Sequence, residues 1–131
     1  MIQGLNTTNA PRAIGPYSQA MICDDLLFCS GQTPIDPETM QLVGDDIVPQ
    51  TKRALANLQI VLKSAQLDLS AVVKTTVYLK NMADFERMNQ VYAQMFGDHQ
   101  PARTTVEVAR LPLDALVEIE CIARMPTRYT T

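Results

Sequence analysis

The chain has 131 residues, 47% of them apolar and 19% charged, with 14 acidic against 11 basic side chains and a net charge of −3. That describes one packed domain over residues 1–131 and excludes a disordered chain, while the acidic balance argues against a nucleic-acid partner. No apolar run reaches the ~20 residues of a membrane span. Met1-Ile2-Gln3-Gly4-Leu5-Asn6 lacks the basic start and apolar stretch of a secretory leader, so a cytoplasmic location is expected.

In chain order, residues 18–23 and 26–30 read as two short strands joined by the turn-forming pair Asp24-Asp25. Gly31, Pro34 and the Asp36-Pro37-Glu38-Thr39 turn end that region. A helix follows. Asp45 or Asp46 can cap it, because a short carboxylate accepts from the free N–H groups of a first helical turn. Leu55, Leu58, Leu62 and Ala65 recur at spacings of three and four, and Val61 widens that stripe. Residues 72–79 are β-branched and predict a strand. A second helix is predicted from about Asp84, with Phe85, Met88, Tyr92, Met95 and Phe96 as its buried stripe and Gly97 as its stop. Residues 104–108 and 116–123 predict two closing strands. The order β-β-(β)-α-β-α-β-β is an α+β pattern, with two helices on one face of a mixed sheet.

The composition removes most common catalytic kits. Cys23, Cys29 and Cys121 are odd in number and contain no Cys-x-x-Cys, so they are expected to be reduced core thiols. His99 is the single histidine, in a Gly97-Asp98-His99-Gln100-Pro101 segment, and reads as a solvated loop residue. A zinc site lacks ligands, and five glycines supply no phosphate loop.

The last two strands carry the chemistry. Side chains alternate across a strand with period two. Val117, Ile119, Cys121 and Ala123 suit the helices, which leaves Leu116, Glu118, Glu120 and Ile122 on the other face. Arg103, Thr105 and Glu107 likewise separate from Thr104, Val106 and Val108. If these strands pair through the 109–115 connection, Arg103, Glu107, Glu118 and Glu120 share one uncovered face. Another copy of the chain could cover it, giving a symmetric oligomer. Two roles are open for that face: an ion-pair ladder at a subunit interface, or a small-anion site. In the second, the arginine fork binds a carboxylate and a glutamate serves as base for water.

Several segments carry a family resemblance: Ala13-Ile14-Gly15-Pro16-Tyr17-Ser18-Gln19-Ala20, Ser30-Gly31-Gln32, Val73-Lys74-Thr75-Thr76-Val77, Met82-Ala83-Asp84-Phe85, Asn89-Gln90-Val91-Tyr92, Pro101-Ala102-Arg103 and Val117-Glu118-Ile119-Glu120. In this order they resemble the RidA family (reactive intermediate deaminases, also called the YjgF family), with a core of about 10–124 and a tail over 125–131 expected to be partly disordered. The resemblance implies a chorismate-mutase-like fold that trimerises with its sheets inside and its sites between subunits. It implies hydrolysis of enamines and imines such as 2-aminoacrylate and 2-iminobutanoate to 2-keto acids and ammonia, with no cofactor and no metal. By position it makes Arg103 the carboxylate clamp and Glu118 the acid that holds or activates water. Tyr17, Ser30, Gly31 and the backbone of Thr105 become substrate contacts, and Asn89 a residue that caps or braces the backbone. Three rival readings are a non-catalytic binder of 2-keto acids, an RNA-directed activity of the kind ascribed to some relatives, and a chorismate-mutase-like reaction.

Overall fold

Asp24 turns the chain with a φ of 53°, in the left-handed region that short polar side chains tolerate. It joins β2 (Ala20–Cys23) to β3 (Leu26–Gln32) as an antiparallel pair. The computed structural model describes residues 1–126. The expectation of a partly disordered tail falls, from residue 127 on, outside the described residues. Ahead of the hairpin, β1 (Ile2–Leu5) pairs antiparallel with β2. This strand is short, largely exposed and interrupted by Gly4, so it carries no hydrophobic period by which to detect it.

Two helices follow the predicted stripes. In α1 (Ile47–Ser64), Asp46 is the cap: its Oδ2 accepts from Val48 N at 3.2 Å. The same carboxylate receives both terminal nitrogens of Arg87 at 2.8 and 2.9 Å, which ties α1 to α2 (Phe85–Phe96) and holds the Asp46 carboxyl below its ordinary range. Gly97, at φ 64°, ends α2. The core between helices and sheet contains Leu27, Leu55, Leu58, Leu62, Leu79, Met88 and Ile119, all fully buried.

The remaining strands are β4 (Val72–Leu79), β5 (Ala102–Glu107) and β6 (Val117–Arg124), and the sheet order is β1-β2-β3-β6-β4-β5. Here the sequence reading needs a correction. β5 and β6 do not pair. β4, α2 and β5 form a crossover unit that lays β5 parallel to β4, while β6 runs antiparallel between β3 and β4. Arg103 is therefore level with Thr75, whereas Glu118 and Glu120 are level with Tyr78 and Thr76. Partners across a ladder share a face, and Thr75 points the opposite way from Thr76 and Tyr78. Arg103, Thr105 and Glu107 thus lie on the helix side of the sheet, and Glu118 and Glu120 on the open side. The alternation within each strand holds; their sharing of one face does not. Arg103 makes no ion pair among the described residues. Glu107 is engaged elsewhere, accepting from Met82 N at 2.7 Å at the entry to α2.

All three cysteines are free. Cys29 and Cys121 face each other across β3 and β6 in the core, and the contact with Cys29 together with burial pushes the Cys121 thiol up. Cys23 is half-buried rather than in the core. His99 also departs from the solvated reading. Its Nε2 lies 2.6 Å from the Val72 carbonyl oxygen, and its ring tilts against Phe96.

Candidate active site

Arg103 is held by an aromatic stack. Its Cζ lies 4.8 Å from the Tyr92 ring centre and 5.6 Å from that of Phe85. Tyr92 stacks in turn on Phe96 at 4.5 Å between centroids, and its hydroxyl is 2.8 Å from Thr75 Oγ1, the side chain opposite Arg103 in the ladder. A guanidinium lying on a ring is oriented by the quadrupole without losing its charge. Of the predicted α2 stripe, Met88, Tyr92 and Phe96 are buried core and Phe85 and Met95 pack half-buried against it, while Tyr92 and Phe85 also form the seat of this cation. Tyr92 shows that seat in its own ionisation: burial pushes the phenol up and the neighbouring guanidinium opposes it. Arg103, Asn89, Phe96, His99 and Pro101 surround a cleft of about 310 Å³. This arginine thus stands in a cleft, over an aromatic ring and with no acid partner among the described residues, and a guanidinium fork is suited to pairing with a carboxylate.

The second group gathers on the far side of the sheet. Tyr17, Ser30, Gly31 and Glu118 line one cleft of about 300 Å³, together with Arg12 and Ile14. Register along β3 and β6 slips between Cys29 and Gln32, so Ser30 and Gly31 sit in an irregularity of the ladder. Ser30 is anchored twice: its N–H donates to Gln19 O at 2.9 Å and its hydroxyl to Ser18 O at 2.7 Å. Gln19, which sequence reasoning did not single out, pins the loop that carries Tyr17. Its buried amide donates to Pro11 O at 2.7 Å and accepts from Thr7 N at 2.6 Å. A glutamine inside a family-like segment of exposed residues was the available signal. Tyr17 itself is half exposed.

Burial, and next the charge of Glu120, push the Glu118 carboxyl above its ordinary value of 4.5. Tyr78 donates to Glu120 at 3.1 Å, and burial followed by that contact raises the Tyr78 phenol. Gly31 is needed for its lack of a side chain. A methyl group there would lie 2.9 Å from Glu118 Cδ and closer still to Oε2. Gly31→Ala is expected to cost about 1–3 kcal/mol through this overlap, read by urea unfolding. The cost should largely vanish when Glu118→Ala is added, as a double-mutant cycle would show.

The sequence-predicted residues thus fall into two groups. Tyr17, Ser30, Gly31 and Glu118 come together, and Arg103 stands with Thr105 on the opposite face. Thr105 Oγ1 is buried and has no hydrogen-bond partner among the described residues. Asn89 does not brace the backbone as expected: its side chain bonds nothing among the described residues. No three His, Cys, Asp or Glu side chains gather there as a metal site, and no helix is long and apolar enough to cross a membrane.

The chain is similar to known proteins along most of its length. A family model described as Endoribonuclease L-PSP matches residues 7–125. A RutC family protein of Pyrococcus horikoshii is 54% identical over 117 residues, covering 89% of this chain and 93% of that protein. The chloroplastic Reactive Intermediate Deaminase A of Arabidopsis thaliana is 46% identical, over 92% of this chain and 65% of that protein. The structure of E. coli TdcF with bound serine superposes with a TM-score of 0.90 at 37% identity, covering 95% of this chain and 99% of that one. On the match over residues 7–125 and these identities, the chain belongs to the YjgF/RidA family, also described as Endoribonuclease L-PSP.

Proposed function

We propose that the protein hydrolyses reactive 2-imino and 2-enamino acids to 2-keto acids and ammonia. The observation that carries this is Arg103, an uncompensated guanidinium seated on Tyr92 in a cleft of small-molecule size. The deaminase name of the Arabidopsis relative supports it. In this reading Arg103 clamps the substrate carboxylate and the enamine tautomerises to the imine. Glu118 takes a proton from water as its oxygen attacks C2. The resulting carbinolamine takes that proton on its nitrogen, its C–N bond breaks to release ammonia, and its hydroxyl proton passes to water as the C=O of the keto acid forms. Such imines also hydrolyse unaided, so the enzyme needs to supply little more than one fixed carboxylate and one oriented water. A general base alone contributes about 10²–10⁴-fold.

Arg103 and Glu118 lie on opposite faces of one sheet, so the site requires two copies of the chain. The Glu118 face supports such an assembly. Met21, Phe28 and Ile122 run side by side across β2, β3 and β6 there, with Met21 37% and Phe28 41% exposed. The assembly we propose is a homotrimer with its sheets inside, each site pairing Arg103 and Thr105 of one copy with Tyr17, Ser30, Gly31 and Glu118 of its neighbour.

The test is a coupled assay. A dehydratase releases 2-iminobutanoate from threonine, and 2-ketobutyrate is followed with and without the protein, with semicarbazide trapping in parallel. Faster keto-acid release and less trapped imine are expected. No acceleration over solvent would overturn the enzyme reading. A binding-only role is favoured by one observation, the serine held by the TdcF relative. It predicts Arg103-dependent binding of 2-ketobutyrate with no turnover.

A further inference from the structure

Three buried side-chain oxygens lack a hydrogen-bond partner among the described residues: Thr51 Oγ1, Asn89 Oδ1 and Thr105 Oγ1. Such atoms are uncommon because each forfeits its hydration without replacement. Two of the three belong to the surroundings of Arg103. Thr105 follows it by two residues on the same face of β5. Asn89 lies four residues after Phe85 and three before Tyr92, which places it on the α2 face that carries both rings flanking the guanidinium. Asn89 and Arg103 line the same cleft. A position needed only for packing would be served better by leucine, since α2 gains nothing from an amide that bonds no other group. The cleft thus holds a cation with no anion, and Asn89 in its lining carries a buried acceptor with no donor, which a turn of the amide would bring to the cleft.

A ligand that satisfies both has a carboxylate for Arg103 and an N–H close to that carboxylate. A 2-amino or 2-imino acid has this pattern, with nitrogen on the adjacent carbon. A 2-keto acid of the same skeleton does not: its C2 oxygen is a second acceptor and would face Asn89 Oδ1 without a hydrogen between them. We infer that Asn89 is a specificity-determining residue that reads the nitrogen at C2, so that the cleft holds nitrogenous substrate more tightly than keto-acid product. This rests on the carboxylate-clamp reading of Arg103. It assigns to hydrogen-bond polarity at C2 a task that the carboxylate clamp does not perform, because substrate and product carry the same carboxylate.

The experiment compares binding of 2-aminobutyrate and 2-ketobutyrate, which share a carbon skeleton and persist in solution, by calorimetry on the assembled protein. Wild type should bind the amino acid more tightly. Asn89→Leu should lose about tenfold of that preference, roughly the worth of one hydrogen bond, while its affinity for 2-ketobutyrate stays within about twofold. Asn89→Asp is a second probe, since it keeps the acceptor and removes the donor that a flipped amide could offer to a keto oxygen. Its added charge repels both carboxylates but attracts the ammonium that only 2-aminobutyrate carries at C2, so the ratio of affinities should rise above the wild-type value. Equal weakening of both ligands in Asn89→Leu, or no change in their ratio, would overturn the inference and leave the clamp standing. Failure of wild type to bind either ligand would instead remove the clamp reading, and the inference with it.

Discussion

Arg103→Ala is expected to lower kcat/KM for 2-iminobutanoate about 10²-fold or more, and Arg103→Lys is expected to recover only a small part. The reason is the state of the guanidinium before substrate arrives. It has no carboxylate partner among the described residues and lies over Tyr92, its Cζ 4.8 Å from the ring centre. Removing one partner of a desolvated, hydrogen-bonded charge pair costs about 2–5 kcal/mol, and each 1.36 kcal/mol is tenfold in rate. Lysine restores the charge but neither the planar stacking nor the two parallel hydrogen bonds. The loss should appear in binding as well, as a matching fall in affinity for 2-ketobutyrate measured by calorimetry. A variant that binds and turns over like wild type would end the clamp reading.

Glu118→Gln should separate binding from chemistry, with kcat falling about 10²–10⁴-fold while 2-ketobutyrate affinity changes little. Wild-type activity should rise with pH along a limb that lies above the ordinary carboxyl value of 4.5, because burial first and Glu120 second hold Glu118 protonated longer. Glu120→Gln removes the second cause and should move that limb to lower pH. The same shift fixes a sign for stability. The folded state holds the Glu118 proton to higher pH than the unfolded chain does, so stability declines as pH rises from about 4.5 through the raised folded value. Above that window the carboxylate is a standing penalty, and Glu118→Gln should unfold at higher urea than wild type at neutral pH. A glutamine variant that is fully active, or less stable there, would contradict this account.

Much of the fold was legible because its periods are strong. The α1 stripe from Leu55 to Leu62, the β-branched run of β4 and the alternation of β6 are each imposed by burial on one side, and each appears as expected. The relative placement of β5 and β6 was not legible. A connection over 108–116 is long enough for a hairpin or for a return to the far side of β4, and no residue in it distinguishes the two. The crossover through α2 decides the matter, since a helix between strands favours parallel neighbours. That single ambiguity moved Arg103 to the other face of the sheet. Alternation pointed to Arg103 and Glu118, whereas Tyr17, Ser30 and Gly31 were visible only through the family resemblance. What no pattern revealed was the seat beneath Arg103, because a stacked tyrosine and a core tyrosine leave the same trace in a helical stripe. Asn89 was misjudged for a related reason: an asparagine on a helix is commonly bonded to nearby backbone, and this one is not.

The division of cation and acid between the two faces of one sheet has a genetic consequence. In the two-copy site proposed above, damage to Arg103 and damage to Glu118 are not equivalent lesions inherited by the same pocket. A cell that makes one copy without the guanidinium and another without the carboxylate still assembles some pockets in which both are intact. Two alleles, each null alone, should therefore complement each other, and the activity regained should follow the ratio in which the two polypeptides are made.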